Sequence, residues 1–274
     1  MTLVGVTVLP FALMIGCGAQ SRRPVLIEGP MPTEVARLAG RLDHSIMETV
    51  GGWTCWRGAI DGYPVVVLKT GKGAANTAAA TAIAVERYHP LAIVNEGTAG
   101  GHDPELHVYD IVVGKESVNL GAFKTGHREL GRGSNSLEWS PRDLEASEGS
   151  AGQDANALKM RRFAGDASLL AAARGAAQLY TRGRVVEGVI GSSEVWNSEI
   201  DRINFFHQQY GTSVEEMETA SAALIAARMN TPFLGTRVVS NNVTNGGAYD
   251  GNTAEACQDF VYQLVKALAA DKRR

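Results

Sequence analysis

The sequence predicts an α/β protein: a single-domain, three-layer fold with a mixed central β-sheet flanked by helices. Three observations carry this reading. From Pro24 onward, short apolar runs alternate with segments of helical spacing, the pattern of strands packed beneath helices. Two of the strands are joined by a tight hairpin and not by a helical crossover, so the sheet is mixed. No internal repeat and no break in composition divides residues 24–274, so one core is expected.

Residues 1–23 read differently from the rest. They carry no charged residue before Arg22, hold an apolar run over 4–15, and pass through Gly16-Cys17-Gly18-Ala19. This is the pattern of an export signal with a lipoprotein-type cleavage site, and Cys17 is the expected lipid anchor. Two features depart from it: no Lys or Arg precedes the apolar run, and Met14 stands where such sites favour Leu. The run is shorter than the roughly 20 residues of a membrane span. The expected location is the cell envelope or periplasm, with the cytoplasm as the alternative.

The elements follow in order. Val25-Leu26-Ile27 is a buried strand, and residues 32–42 form a helix with Val35, Leu38, Ala39 and Leu42 on one face. Residues 53–60 and 63–68 are a hairpin turned by Asp61-Gly62. Gly71 to Gly73 open an Ala-rich helix that runs to about Tyr88, and Leu91-Ala92-Ile93-Val94 is the next strand. Asp110-Ile111-Val112-Val113 is another. Residues 124–160, rich in Gly, Ser, Glu and Arg, form a long surface insertion. Residues 167–179 are helical and 185–190 a strand. Glu216 to Ala226 passes from strand to Ala-rich helix, and Pro232 to Val239 is a strand ending in Ser240-Asn241-Asn242. Residues 253–269 close the chain as an amphipathic helix with Cys257, Phe260, Val261, Leu264, Val265 and Leu268 on its core stripe, capped by Asn252 or Thr253.

With 45% hydrophobic and 20% charged residues the chain is globular. A net charge of −3 without a basic run gives no reason to expect a nucleic-acid partner. The six histidines show no ligand spacing, so no metal and no other cofactor is expected. Cys55 and Cys257 fit no metal motif either, and their pairing stays open.

Four motifs carry chemistry. Glu216-Met217-Glu218 sets two acids and a thioether at the mouth of a helix. A buried carboxylate there needs partners, and the two hydroxyls of a ribose supply them; an exposed acidic helix start is the plain alternative. Glu34, in Met31-Pro32-Thr33-Glu34-Val35, reads equally as an acid favoured by a helix N-terminus. Gly97-Thr98-Ala99-Gly100-Gly101, following Asn95-Glu96, is expected as a tight turn whose bare backbone lets a ligand approach. The fourth is Arg237-Val238-Val239-Ser240-Asn241.

In that order, and each at a strand end where α/β sheets bind ligands, these motifs make the chain resemble the nucleoside phosphorylase superfamily, most of all the 5′-methylthioadenosine/S-adenosylhomocysteine nucleosidases. The likeness covers residue 25 to about 268 and fails over 124–160, where this chain is longer. It implies that Glu34 activates water, with Thr70 and Arg237 helping to hold it. Met217 and Glu218 then clamp the sugar, and Glu216 holds the base or the cleft. Thr98, Gly100 and Ser240 line the site, and Val195 and Trp196 stack on the purine. Phe123 lines the pocket for the 5′ substituent, contributed by a neighbouring subunit of a homodimer.

Asn241 departs from the pattern, because adenine-cleaving relatives carry Asp there. An amide hydrogen-bonds N7 but delivers no proton. The expected activity is hydrolysis of the N-glycosidic bond of a purine nucleoside, first of all 5′-methylthioadenosine or S-adenosylhomocysteine. The alternatives are a 6-oxopurine nucleoside such as inosine or futalosine, phosphorolysis, and a non-catalytic nucleoside-binding lipoprotein. Glu34 and Asn95 stand where phosphorylases place arginines, and a carboxylate repels phosphate. Produced in a bacterium with its own N-terminus, the chain is expected to begin at a lipid-bearing Cys17 by mass spectrometry. A soluble chain starting at Met1 overturns the export expectation.

Overall fold

The structure, a computed structural model, describes residues 22–142 and 161–271; the expected export segment up to Ser21 and residues 143–160 of the insertion lie outside these. β1 (Val25–Gly29) is followed by a 3₁₀ turn (Pro32–Glu34) and one turn of helix, α1 (Ala36–Ala39). β2 (Asp43–Val50), β3 (Trp53–Ile60) and β4 (Tyr63–Lys69) form an antiparallel meander. α2 (Ala74–Tyr88) leads to β5 (Ala92–Gly101) and β6 (Ile111–Asn119). The described part of the insertion holds a small two-stranded sheet, β7 (Phe123–Lys124) with β8 (Ser140–Pro141). Then come β9 (Arg162–Ala164), α3 (Ala167–Ala177), β10 (Val185–Ser192), α4 (Ile200–Tyr210) and β11 (Thr212–Glu216). α5 (Thr219–Arg228), β12 (Phe233–Asn241) and α6 (Thr253–Asp271) complete the chain.

The main sheet runs β11-β10-β6-β12-β5-β1-β4-β3-β2, and β11 also pairs with β5. Five strands therefore close on themselves while β1 to β4 extend as an open wing. β1 is parallel to β4 and β5, and β12 is parallel to β5 but antiparallel to β6, so the sheet is mixed as expected.

Alternation along the strands builds a core on each face. Val25 and Ile27 join Val65, Val67 and Val94 beneath α1, α3 and α6; Leu26, Val66, Leu68 and Ile93 turn the other way, beneath α2 and α5. Alanines at 80, 84, 222, 223 and 226 let those two helices lie close to the sheet. Cys257 belongs to the first core and Cys55 to the second, so the sheet stands between them and both are free thiols.

The β3–β4 hairpin turns where expected, with Asp61 (φ 48°) and Gly62 (φ 72°) both left-handed as a two-residue turn requires. Two expectations are corrected. Residues 32–42 are not one helix: Val35 (φ −130°) breaks it, and Gln258 of α6 takes over the backbone. Its Oε1 accepts from the N–H groups of Arg37 (2.9 Å) and Leu38 (3.1 Å), and its Nε2 donates to the Thr33 carbonyl (2.7 Å). Residues 97–101 are not a turn but the extended end of β5, paired on both sides. The glycines serve close approach instead: a Cβ at Gly101 would sit 2.5 Å from Asn242 Cγ, and one at Gly97 3.0 Å from Glu34 Oε1.

Phe260, 1% exposed, is set edge-on against Tyr180 at 6.1 Å in the α6 core. Phe260→Ala is expected to cost about 3–5 kcal/mol, read as a lowered urea midpoint. A loss under about 1 kcal/mol, typical of surface substitutions, would mean that this core does not hold the third layer.

Candidate active site

Where β5, β12, β10 and β11 end, with the segment after β1, they enclose a cavity of about 300 Å³, within the range that takes a small ligand. Glu34, Thr98, Gly100, Val195, Trp196, Glu216, Met217, Glu218, Ser240 and Asn241 all line it. Residues more than 180 positions apart in the chain thus face one space.

Glu34 ends the 3₁₀ turn and is 1% exposed. Its Oε1 accepts from the N–H (2.8 Å) and hydroxyl (2.9 Å) of Thr98, and its Oε2 from the N–H of Met31 (3.0 Å). Burial raises its pKa, and the Thr98 N–H and the Arg237 charge oppose that rise. A carboxylate so held is fixed in direction and shifted toward the pH at which a general base works best.

Glu218 stands at the start of α5. Its Oε1 accepts from the N–H of Gly73 (2.8 Å), at the N-terminus of α2. Glu194 accepts from the next N–H of that helix, Ala74 (3.0 Å), so two acids complement its positive end. Burial raises the Glu218 pKa, and the adjoining Glu216 charge adds to the rise.

Glu216 is tied to the protein on every side. It pairs with Arg237 and accepts from Ser192 Oγ and from the N–H groups of Glu218 (3.0 Å) and Thr219 (3.0 Å). Its task is therefore to hold the β11–α5 corner, not to reach for a base.

Three expected site residues lie outside the cavity lining. Arg237 is fully buried and spends its guanidinium on Glu216 and on Asn95, whose side-chain oxygen it meets at 2.7 Å. It acts on the site through Glu216. Thr70 is likewise buried; its hydroxyl donates to the Gly71 carbonyl (3.0 Å) and accepts from Thr77 (3.3 Å), so it is occupied with shaping the loop before α2. Phe123 packs against Trp139 and Phe206 and under Arg161, within the protein's own apolar cluster.

Other residues line the cavity without having been expected there. His102 and Glu215 directly flank two of the motifs and meet each other in the wall. Tyr249 leans on Trp196, ring centroids 5.9 Å apart, and both are well exposed at the mouth (57% and 70%). Lys72 is the one lysine or arginine of the lining. Adjacency to Gly101 and Glu216 was the available signal for His102 and Glu215.

The chain is similar to known proteins over nearly its whole described length. The family model of the phosphorylase superfamily matches residues 24–270. A 5′-methylthioadenosine/S-adenosylhomocysteine nucleosidase of Anoxybacillus flavithermus is 30% identical over 79% of this chain and 84% of its own length. The like-named protein of Bacillus licheniformis is 28% identical over 89% and 99%. Among solved structures, the Neisseria meningitidis nucleosidase in complex with methylthio-immucillin-A superposes with a TM-score of 0.72 at 23% identity, covering 89% of this chain and 99% of its own. Futalosine hydrolase of Helicobacter pylori gives 0.70 at 19% identity, covering 89% and 97%. At these identities the structural likeness speaks for the fold.

Glu28, behind the cavity, makes a pH prediction. It is fully buried beside Asn95 (3.2 Å), and burial raises its pKa to about 7. The fold therefore favours its neutral form. The stability this lends is complete below the ordinary value near 4.5 and is lost as pH rises through about 7. Urea midpoints are expected to fall across that interval, and Glu28→Gln to flatten the fall. An equal slope in the variant removes Glu28 as its source.

Proposed function

This chain belongs to the phosphorylase superfamily, and on that premise we propose that it hydrolyses the N-glycosidic bond of a purine nucleoside, releasing the free base and a ribose or thioribose. The observation that carries this reading is the convergence of Glu34 and Glu218 on one cavity beside Trp196 and Asn241. The substrate supported first is 5′-methylthioadenosine or S-adenosylhomocysteine, as named for the relatives at 28–30% identity.

Each residue then has a task. Glu218 accepts the sugar hydroxyls, with Met217 against the sugar. Trp196 offers its ring to the purine, Val195 extends that surface, and Asn241 hydrogen-bonds the base. Glu34 orients a water and takes its proton as the oxygen adds to the electron-poor sugar carbon. Four lining glutamates, Glu34, Glu215, Glu216 and Glu218, against one lysine disfavour phosphate, which favours water as the nucleophile. Asn241 favours a second reading, a 6-oxopurine nucleoside, because the proton that an aspartate would give an adenine is missing there.

The apolar rim of Val195, Trp196, Val243 and Tyr249 is exposed. A rim of this kind supports a homodimer that covers the mouth.

Glu34→Gln is expected to lower kcat by about 10²–10⁴-fold with little change in nucleoside affinity, read by base release in phosphate-free buffer and by calorimetry. Unchanged turnover would take Glu34 out of the mechanism. Strict dependence on phosphate would replace hydrolysis with phosphorolysis.

A further inference from the structure

A buried glutamate–histidine pair lines the same cavity and takes no part in holding the sugar or the water. Glu215 is the register partner of Gly100 across β11–β5, and Asn241 is the partner of that same Gly100 on the β12 side. The site of a Cβ on Gly100 would lie 3.6 Å from Asn241 Nδ2 and 4.0 Å from the Glu215 carbonyl. Glu215 and Asn241 thus flank one point on β5, two residues beyond Thr98, the partner of Glu34. At about 3.3 Å per residue this is roughly 6–7 Å along the strand. The displacement runs from Glu34, proposed to hold the water, toward Asn241, proposed to meet the base.

The pair is a built feature. Glu215 Oε2 meets His102 Nε2 at 3.0 Å, and Ser193 Oγ donates to Oε1. His102 Nδ1 lies 2.8 Å from Thr212 Oγ1, and the imidazole stacks on Phe206 with centroids 6.2 Å apart and planes 18° from parallel. His102 is 2% and Glu215 7% exposed, yet both line the cavity. Both ring nitrogens of His102 are used, whereas each Glu215 oxygen makes one of these contacts and keeps a second lone-pair site, so Glu215 is the member left to meet a ligand. Asn241 Oδ1 accepts from Ser240 Oγ (3.1 Å), which leaves its amide N–H to face the base. That group donates a hydrogen bond but no proton.

We propose that Glu215 protonates the departing purine, with His102 as the residue that positions it and restores its proton. This rests on the nucleosidase reading. As the C1′–N9 bond breaks, its electron pair passes to the base, and a ring nitrogen of the base takes the proton held by the Glu215–His102 pair. The base leaves neutral. The pair is left one proton short, as carboxylate and neutral imidazole. The attacking water gives its proton to Glu34 and its oxygen to C1′, and exchange with solvent returns Glu34 and the pair to their starting states. No oxidant or further reactant is needed.

The test compares a purine nucleoside that the wild-type protein cleaves with its N7-methyl counterpart, whose base already carries the positive charge and leaves without a proton. Glu215→Gln keeps the size of the side chain and the Ser193 contact. It is expected to lower the ratio of the unmodified to the N7-methyl rate by about 10²-fold or more, the usual range of general-acid help. His102→Gln is expected to lower the same ratio by less. The N7-methyl rate is also the internal check that each variant is folded. Equal effects of Glu215→Gln on the two substrates, including none, overturn the proposal. Failure of the wild-type protein to release base from any purine nucleoside would instead overturn the nucleosidase reading.

Discussion

Arg237 has no access to solvent, and the site is built around it. From β12 it donates to the Asn95 carbonyl (2.9 Å) and side chain (2.7 Å) on β5, and it pairs with Glu216 at the end of β11. One planar, permanently charged fork thereby joins three strands. Burying such a charge costs several kcal/mol unless its partner is equally well placed, and removing either member leaves the other uncompensated. Glu216 passes the constraint on. With one oxygen on Arg237, it accepts the N–H groups of Glu218 and Thr219, and Ser192 accepts that of Ala220 (2.9 Å). The first turn of α5 thus has its free donors filled from outside the helix. The direction of Glu218, and so the place of a sugar in the proposed mechanism, follows from where Arg237 sits.

The fold and one half of the site were legible because they depend on local pattern. Strand ends, an Ala-rich helix and the Asp61-Gly62 hairpin are written in neighbouring residues, and Glu34, Met217 and Glu218 stand beside them. Other features depend on partners far along the chain. Arg237 reads as a cavity-facing cation until Glu216, 21 residues away, is seen to take it. His102 reads as one unremarked histidine among six, because Glu215 lies 113 residues further on. β2 was not foreseen because it is an exposed edge strand, with Ile46 and Met47 turned outward and no clean alternation. The glycines of β5 suggested a turn by composition, yet their service is to let Glu34 and Asn242 come close to a straight strand.

Glu96 shows the cost of placing acids around one space. It lies on β5 with no solvent exposure, neither oxygen has a nitrogen or oxygen partner among the described residues, and the Cys257 thiol lies beside it. Burial, and then the charge of Glu34, push its pKa well above the carboxylate range, so its surroundings favour the neutral form of Glu96. A further negative charge just behind the cavity wall is thereby disfavoured. An ionised Glu96 would oppose the ionisation of Glu34, on which water activation depends in the proposed mechanism.

The whole cavity is under the same constraint. Glu34 and Glu218 both have raised pKa values, because burial penalises their charged forms. A sugar that becomes positive as its bond to the base breaks reverses this, since attraction to both acids grows toward the transition state and is weaker in the bound substrate. Only such unequal binding accelerates a reaction. The base gains the opposite charge at the same moment, and another carboxylate without a proton would oppose that gain. Around Gly100 the wall instead offers the Asn241 amide and the Glu215–His102 pair. The cavity is divided along β5 into an anionic part and a part able to donate, the division that heterolysis of a C–N bond imposes on its two fragments.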